Sequence, residues 1–136
     1  MNQYKGECLC GTCRYVITGQ QPAAMYLCHC SRCRKESGTV HASNVFFNDA
    51  QLLWEQGQDQ IAHFKLEHTR KQRAFCKTCG SPLPRQEGDS HVVVPAGTLK
   101  DDIDLEPTAH IFYGSRSSWE DKLLDVKRFD ELPSID

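Results

Sequence analysis

Short alternating runs of apolar and polar residues, each closed by a turn residue, dominate the chain. Arg14-Tyr-Val-Ile-Thr18 is one run, closed by Gly19 and a Gln-Gln-Pro turn. Residues 40–47 form a second, with Asn48-Asp49 marking the turn after it, and Leu52-Leu53-Trp54 a third that ends at Gly57. Ile61, Phe64 and Leu66 outline another strand with imperfect alternation, and 72–76 leads into a cysteine pair. His91-Val-Val-Val94 is a β-branched run, and 110–113 makes a last strand. Trp119 to Val126, after Ser117-Ser118, is the one segment patterned for a short helix. The expected fold is mainly β: several short, coiled antiparallel sheets with at most one short C-terminal helix.

Composition changes this picture at one point. At 136 residues, with no linker and no low-complexity segment, the chain reads as a single domain, 1–136, with a modest core. Net charge is −2, which gives no general attraction to nucleic acid or to an anionic membrane surface. No stretch approaches the ~18 apolar residues of a membrane span, and the N-terminus lacks the apolar core of a signal peptide. A cytoplasmic location follows as the default, and there thiols stay reduced. Eight cysteines are the unusual feature.

They fall in three clusters. Cys8, Cys10 and Cys13 share the C-x-C-x-x-C spacing with Cys28, Cys30 and Cys33; Cys76 and Cys79 form C-x-x-C before Gly80. Such spacings aim sulfurs at a common ion without long loops, and Gly80 suits the tight turn of a metal knuckle. A disulfide framework needs an oxidising compartment, and a redox C-x-x-C needs a βαβ setting that the sequence lacks. Thiolate-rich sites of this kind favour zinc, with an iron–sulfur cluster the weaker alternative. Spacing leaves the partition open. Cys76 and Cys79 need a second pair, which either the first or the second cluster can supply.

The motifs, taken together, resemble a known family. Gly6-Glu-Cys8-Leu-Cys10-Gly11 with Arg14-Tyr15, Cys28-His-Cys30-Ser-Arg-Cys33-Arg-Lys and Ser37-Gly38 are the first part of the resemblance. Phe75-Cys76-Lys-Thr-Cys79-Gly80, Gly97-Thr98-Leu99, His110, Ser115-Arg116 and Trp119 complete it. This order is similar to that of the glutathione-dependent formaldehyde-activating enzymes, whose domain is shared with centromere protein V. The resemblance implies a fold of coiled β-sheets stapled by two zinc ions. It implies a structural zinc on Cys8, Cys10, Cys76 and Cys79, and a catalytic zinc on Cys28, Cys30 and Cys33. It further implies a carbon–sulfur lyase that joins glutathione to formaldehyde, giving S-hydroxymethylglutathione.

Around these residues the reading stays chemical. Three thiolates make the second zinc a weaker Lewis acid than a three-histidine zinc, better suited to a substrate thiol or a small carbonyl than to making hydroxide. Arg32, Arg34 and Lys35 either attract the carboxylates of a small thiol such as glutathione or form a solvated basic loop. His29, between two ligands, is expected to point away from the metal onto the surface, with a proton shuttle or a further ligand as the alternatives. Cys13 is expected to be a buried thiol, with a role as fourth ligand of the second site as the alternative. His110, Arg116 and Trp119 either line a pocket or support the core, Trp119 being packed inside. The competing function class is a non-catalytic zinc-binding module for a protein or other partner; a nucleic-acid binder is disfavoured by the acidic balance.

Overall fold

A computed structural model describes residues 2–100 and 105–134. Among the described residues eleven strands and one α-helix run in the order β1 (Asn2–Glu7), β2 (Arg14–Gly19), β3 (Ala24–Cys28), α1 (Ser31–Ser37), β4 (Ala42–Phe47), β5 (Ala50–Gln56), β6 (Ile61–Lys65), β7 (Gln72–Cys76), β8 (Pro82–Leu83), β9 (Arg85–Glu87), β10 (His91–Pro95) and β11 (Ala109–Ile111). They make three sheets: β1-β2-β5, β11-β3-β4-β10-β9, and β6-β7-β8. The mainly β expectation holds. Among the described residues no helix is long and apolar enough to cross a membrane.

The core sits between the first two sheets. Tyr15 and Ile17 from β2, Val45 and Phe47 from β4, Ala50 from β5, and Val92 and Val94 from β10 are all buried there. Alternation explains the inward set: residues two apart on a strand share a face. Val16 and Val93 are buried as well, so β2 and β10 are covered on both sides. Tyr15 ties the junction together. Its hydroxyl lies 2.7 Å from Thr98 Oγ1, which in turn donates to the Pro95 carbonyl. Tyr15 pairs in register with Gly6, and Gly6 bridges to Leu99. A Cβ at Gly6 would stand 2.1 Å from the Tyr15 hydroxyl oxygen, so only glycine fits.

Three features differ from the expected pattern. A seven-residue helix, α1, stands inside the second cysteine cluster. It has no apolar periodicity to announce it, because Cys33 is its one buried residue. Its ends are capped instead: Cys30 Sγ accepts from the Cys33 amide, and Gly38, left-handed at φ 72°, donates its amide to the Arg34 carbonyl. The C-terminal segment forms a 3-10 run, Ser118–Asp125, with no buried residue. Among the pairings, β11 with β3 is parallel while the others are antiparallel. The edge strand β1 is too polar to be read from hydrophobic pattern.

Candidate metal centres and the histidine chain beside them

The first centre lies where the loop after β1 meets the turn after β7. Cys8, Cys10, Cys76 and Cys79 bring their sulfurs within 4.8 Å of one another. Cys8 and Cys10 sulfurs are 3.7 Å apart, and those of Cys10 and Cys76 are 3.9 Å apart. A tetrahedral zinc with Zn–S near 2.3 Å has sulfur–sulfur edges of about 3.8 Å. The donor set and its spacing therefore fit a closed four-sulfur metal site, and all eight cysteines are free of disulfides.

Local backbone shapes this centre. The Cys13 amide donates to Cys8 Sγ at 3.3 Å, while the Cys8 amide donates to the Cys13 carbonyl. On the other side, Gly80 adopts φ 76° and returns its amide to the Cys76 carbonyl at 2.8 Å. Ser81 Oγ accepts from the Leu9 amide and lies 3.2 Å from Cys79 Sγ. That hydroxyl contact, helped by the Ser81 and Cys10 amides against some burial, holds the Cys79 thiol down at about 5. Cys76 is also lowered, first by the Cys79 amide. Cys8 moves the other way, raised first by burial, so the backbone and hydroxyl donors favour the deprotonated form that a metal needs at Cys76 and Cys79.

The second centre joins the end of β3 to α1. Cys28, Cys30 and Cys33 sulfurs lie within 4.8 Å of one another, and among the described residues no fourth His, Cys, Asp or Glu joins them. Cys13 packs instead with Cys8, Ala74, Cys76 and Leu83, its sulfur 3.5 Å from the Gly57 carbonyl. Burial, followed by the neighbouring Cys76 thiol, pushes Cys13 up to about 12, as befits an inert thiol. It is thus a buried thiol at the first centre, remote from the role of fourth ligand at the second. Three sulfurs with a position left open is the pattern of a zinc site that takes substrate.

One side of this second centre is cationic. Lys71 places its ammonium 3.5 Å from Cys33 Sγ and is ion-paired with Glu36. A groove of about 530 Å³ runs along α1 next to this centre, lined by Arg32, Lys35, Lys71 and Arg73, with the Glu36 carboxylate among them and an apolar wall of Phe64 and Leu66; the three cysteines themselves do not line it. Arg34 does not face the groove but serves structure: it donates to the His29 carbonyl at 3.2 Å and to Ser117 Oγ at 3.3 Å. Arg73 donates to the carbonyls of Glu36 and Gly80, linking α1 to the knuckle of the first centre.

His29 corrects the sequence expectation most clearly. It points away from the cysteines, but into the protein: it is fully buried. Its Nδ1 lies 2.8 Å from Glu120 Oε2 and its Nε2 lies 2.7 Å from His110 Nδ1. His41 and Tyr113 pack their rings against it at 5.0 and 5.1 Å. Burial, and then the His29 ring, holds His41 below the usual imidazole range. Though Glu120, His29 and His110 could be grouped as metal donors, their direct hydrogen bonds make a chain rather than a cage. Glu120 was invisible to sequence reasoning, because it lies 91 residues from His29. Trp119, for which core packing was one of two expectations, is half exposed, and Arg116 stacks over Tyr113 while pairing with Asp121.

Fold and site together define a small β-sheet protein with two cysteine clusters able to hold metal ions, one of four sulfurs and one of three. The family model described as glutathione-dependent formaldehyde-activating enzyme matches residues 3–115, and the chain belongs to that family. A crystal structure of a Rhodobacter sphaeroides protein is similar in fold, with a TM-score of 0.58 and 22% identity over 78% of this chain and 98% of that one. A search of curated proteins finds no significant match.

Proposed function

We propose that the protein is a zinc-dependent carbon–sulfur lyase acting on a thiol–aldehyde adduct, with glutathione and formaldehyde as the pair its family suggests. The observation that carries this reading is the three-sulfur centre with an open fourth position beside a cationic groove. Zinc fits both clusters by donor type and spacing, so we assign Cys8, Cys10, Cys76 and Cys79 to a structural ion and Cys28, Cys30 and Cys33 to a catalytic one. A zinc ion at the second centre lowers the pKa of a thiol that reaches it and brings thiol and aldehyde into one place.

The chain's own residues supply the rest. Arg32, Lys35 and Arg73 offer cations to the carboxylates of a peptide thiol, and Phe64 and Leu66 offer an apolar wall to its backbone. The Lys71 ammonium favours negative charge on sulfur at Cys33, against the burial that pushes this thiol up to about 12. In the forward reaction the thiol loses its proton, a sulfur–carbon bond forms, the carbonyl π bond opens, and the carbonyl oxygen gains a proton. Glu120 accepts from His29 Nδ1–H, so His29 Nε2 accepts from His110 Nδ1–H. His110 then presents Nε2 as a free acceptor on an exposed ring, suited to carrying that proton.

Exchange spectroscopy of glutathione with formaldehyde tests the reading. Zinc-loaded protein is expected to accelerate exchange between free and hydroxymethylated glutathione, and Cys33→Ser is expected to abolish the acceleration while leaving the circular dichroism unchanged. Exchange at the spontaneous rate with the zinc-loaded protein refutes it. A reductive location such as the cytoplasm is consistent with eight unpaired thiols.

A further inference from the structure

The groove along α1 is faced on its other side by the β6–β7 hairpin. Phe64 stands opposite Arg73 in the strand register, and the Leu66 amide donates to the Lys71 carbonyl just beyond. Residues two apart on a strand share a face, so Phe64 and Leu66 stand on the same side as Arg73 and Lys71. The two walls are tied together. Arg73 donates to the Glu36 carbonyl at 2.8 Å, and Lys71 bridges the Glu36 carboxylate and Cys33 Sγ. The resulting cavity of about 530 Å³ falls in the size range of small-molecule sites.

Charge in this groove is unbalanced. Arg32, Lys35, Lys71 and Arg73 line it with one carboxylate, Glu36, which Lys71 takes. Arg73 gives its N–H groups to the carbonyls of Glu36 and Gly80, and neutral acceptors leave its charge in place. Among the described residues Arg32 and Lys35 have no carboxylate partner. Four cations less one carboxylate leave three positive charges, in a chain whose net charge is −2. Apolar surface lies open in the same place: Phe64 is more than half exposed, with Leu66 exposed beside it. The stems of arginine and lysine add apolar surface beneath their charged heads.

We propose that the groove is a binding site for an amphipathic carboxylate, an anion with an aromatic or branched aliphatic body. The body lies on Phe64 and Leu66, and the carboxylate meets Arg32 and Lys35 with the charge of Arg73 nearby. A hydrophilic anion leaves the apolar wall wet, and a neutral apolar molecule leaves three charges unanswered. The peptide thiol proposed above shares the carboxylate but lacks the body. Binding needs no catalysis, so this proposal stands or falls separately from the exchange reaction.

Isothermal titration of the metal-loaded chain with phenylbutyrate is the test, with phenylbutyramide, acetate and adenosine monophosphate as comparisons. Phenylbutyrate is expected to bind with a Kd of ~1 mM or tighter. The amide and acetate, each lacking one of the two features, are expected to bind at least ~5-fold more weakly. Phe64→Ser should raise the Kd for phenylbutyrate about 5–10-fold. Lys35→Glu should raise it about 5-fold, an effect that fades in high salt. Should either variant fail to fold, amide chemical shifts of the wild type decide: phenylbutyrate must move the signals of 31–36 and 64–73 and leave β1 and β2 in place. Weaker binding of phenylbutyrate than ~1 mM overturns the proposal. So does an amide that binds as well as the acid, acetate that binds as well as phenylbutyrate, tighter binding of the nucleotide, or shifts elsewhere in the chain. Spontaneous-rate exchange of glutathione alongside tight phenylbutyrate binding refutes the catalytic reading and leaves this one standing.

Discussion

Replacing Cys76 by serine separates the two ways this fold is held. Cys76 is fully buried at the end of β7, one of four sulfurs that tie residues 8–10 to 76–79. The core around it is thin. Besides cysteines it contains Ala74 and Leu83, with Trp54 and Ile61 partly buried beside them. Burying Leu83 contributes about 2–3 kcal/mol. The main core is different: Tyr15, Ile17, Val45, Phe47, Val92 and Val94 contribute on the order of 1.5–3 kcal/mol each. A structural zinc contributes on the order of 10–16 kcal/mol in small zinc domains. With the proposed structural ion bound, the third sheet would depend on it, whereas the first two retain a core of their own. If two ions bind as proposed, Cys76→Ser is expected to lose one of them, measured by mass spectrometry under native conditions. Hydrogen exchange should show protection lost across β6, β7 and β8, and kept in β4 and β10. Chelation of the wild type should reproduce that pattern. If Ile61–Leu83 remains as protected after metal loss as before, hydrophobic packing alone holds the third sheet and the reasoning fails.

Three further outcomes follow from the geometry. Gly6→Ala should destabilise the protein by about 2–4 kcal/mol, because the new Cβ meets the Tyr15 hydroxyl and the Thr98 carbonyl and β1 must move; a thermal melt within a degree of wild type contradicts this. Glu120→Gln should lower kcat about 10–100-fold, by letting His29 take its other tautomer, and Glu120→Asp should restore part of it; equal activity in Gln and wild type argues against the chain of hydrogen bonds. Lys71→Met should raise the KM for an anionic thiol more than it lowers kcat, with a smaller effect for a neutral thiol; identical shifts for both thiols would remove the groove from substrate binding.

The second and third sheets show why some strands were legible. Residues 91–94 and 72–76 alternate or run β-branched between turn residues, and they became β10 and β7 with at most one residue added at either end. Asn2–Glu7 carries no apolar alternation, since an edge strand needs partners more than a buried face, so β1 could not be read. Helix α1 was hidden for a related reason: its caps and the packing of Cys33 against Cys28 and Ala42 hold it rather than an apolar stripe.

Sequence alone was enough for the elements whose cause is local. Cysteine spacing and a following glycine announce metal knuckles because the ligands of each knuckle are neighbours along the chain. Only the tertiary structure decided which knuckles come together, because Cys10 and Cys76 meet across 66 residues and spacing cannot measure that closure. It likewise put Cys13 at the first centre, buried His29 against Glu120, and set Lys71 beside Cys33. Those contacts come from sheet pairing and packing, in which residues far apart in sequence become neighbours without any signal in the residues between them.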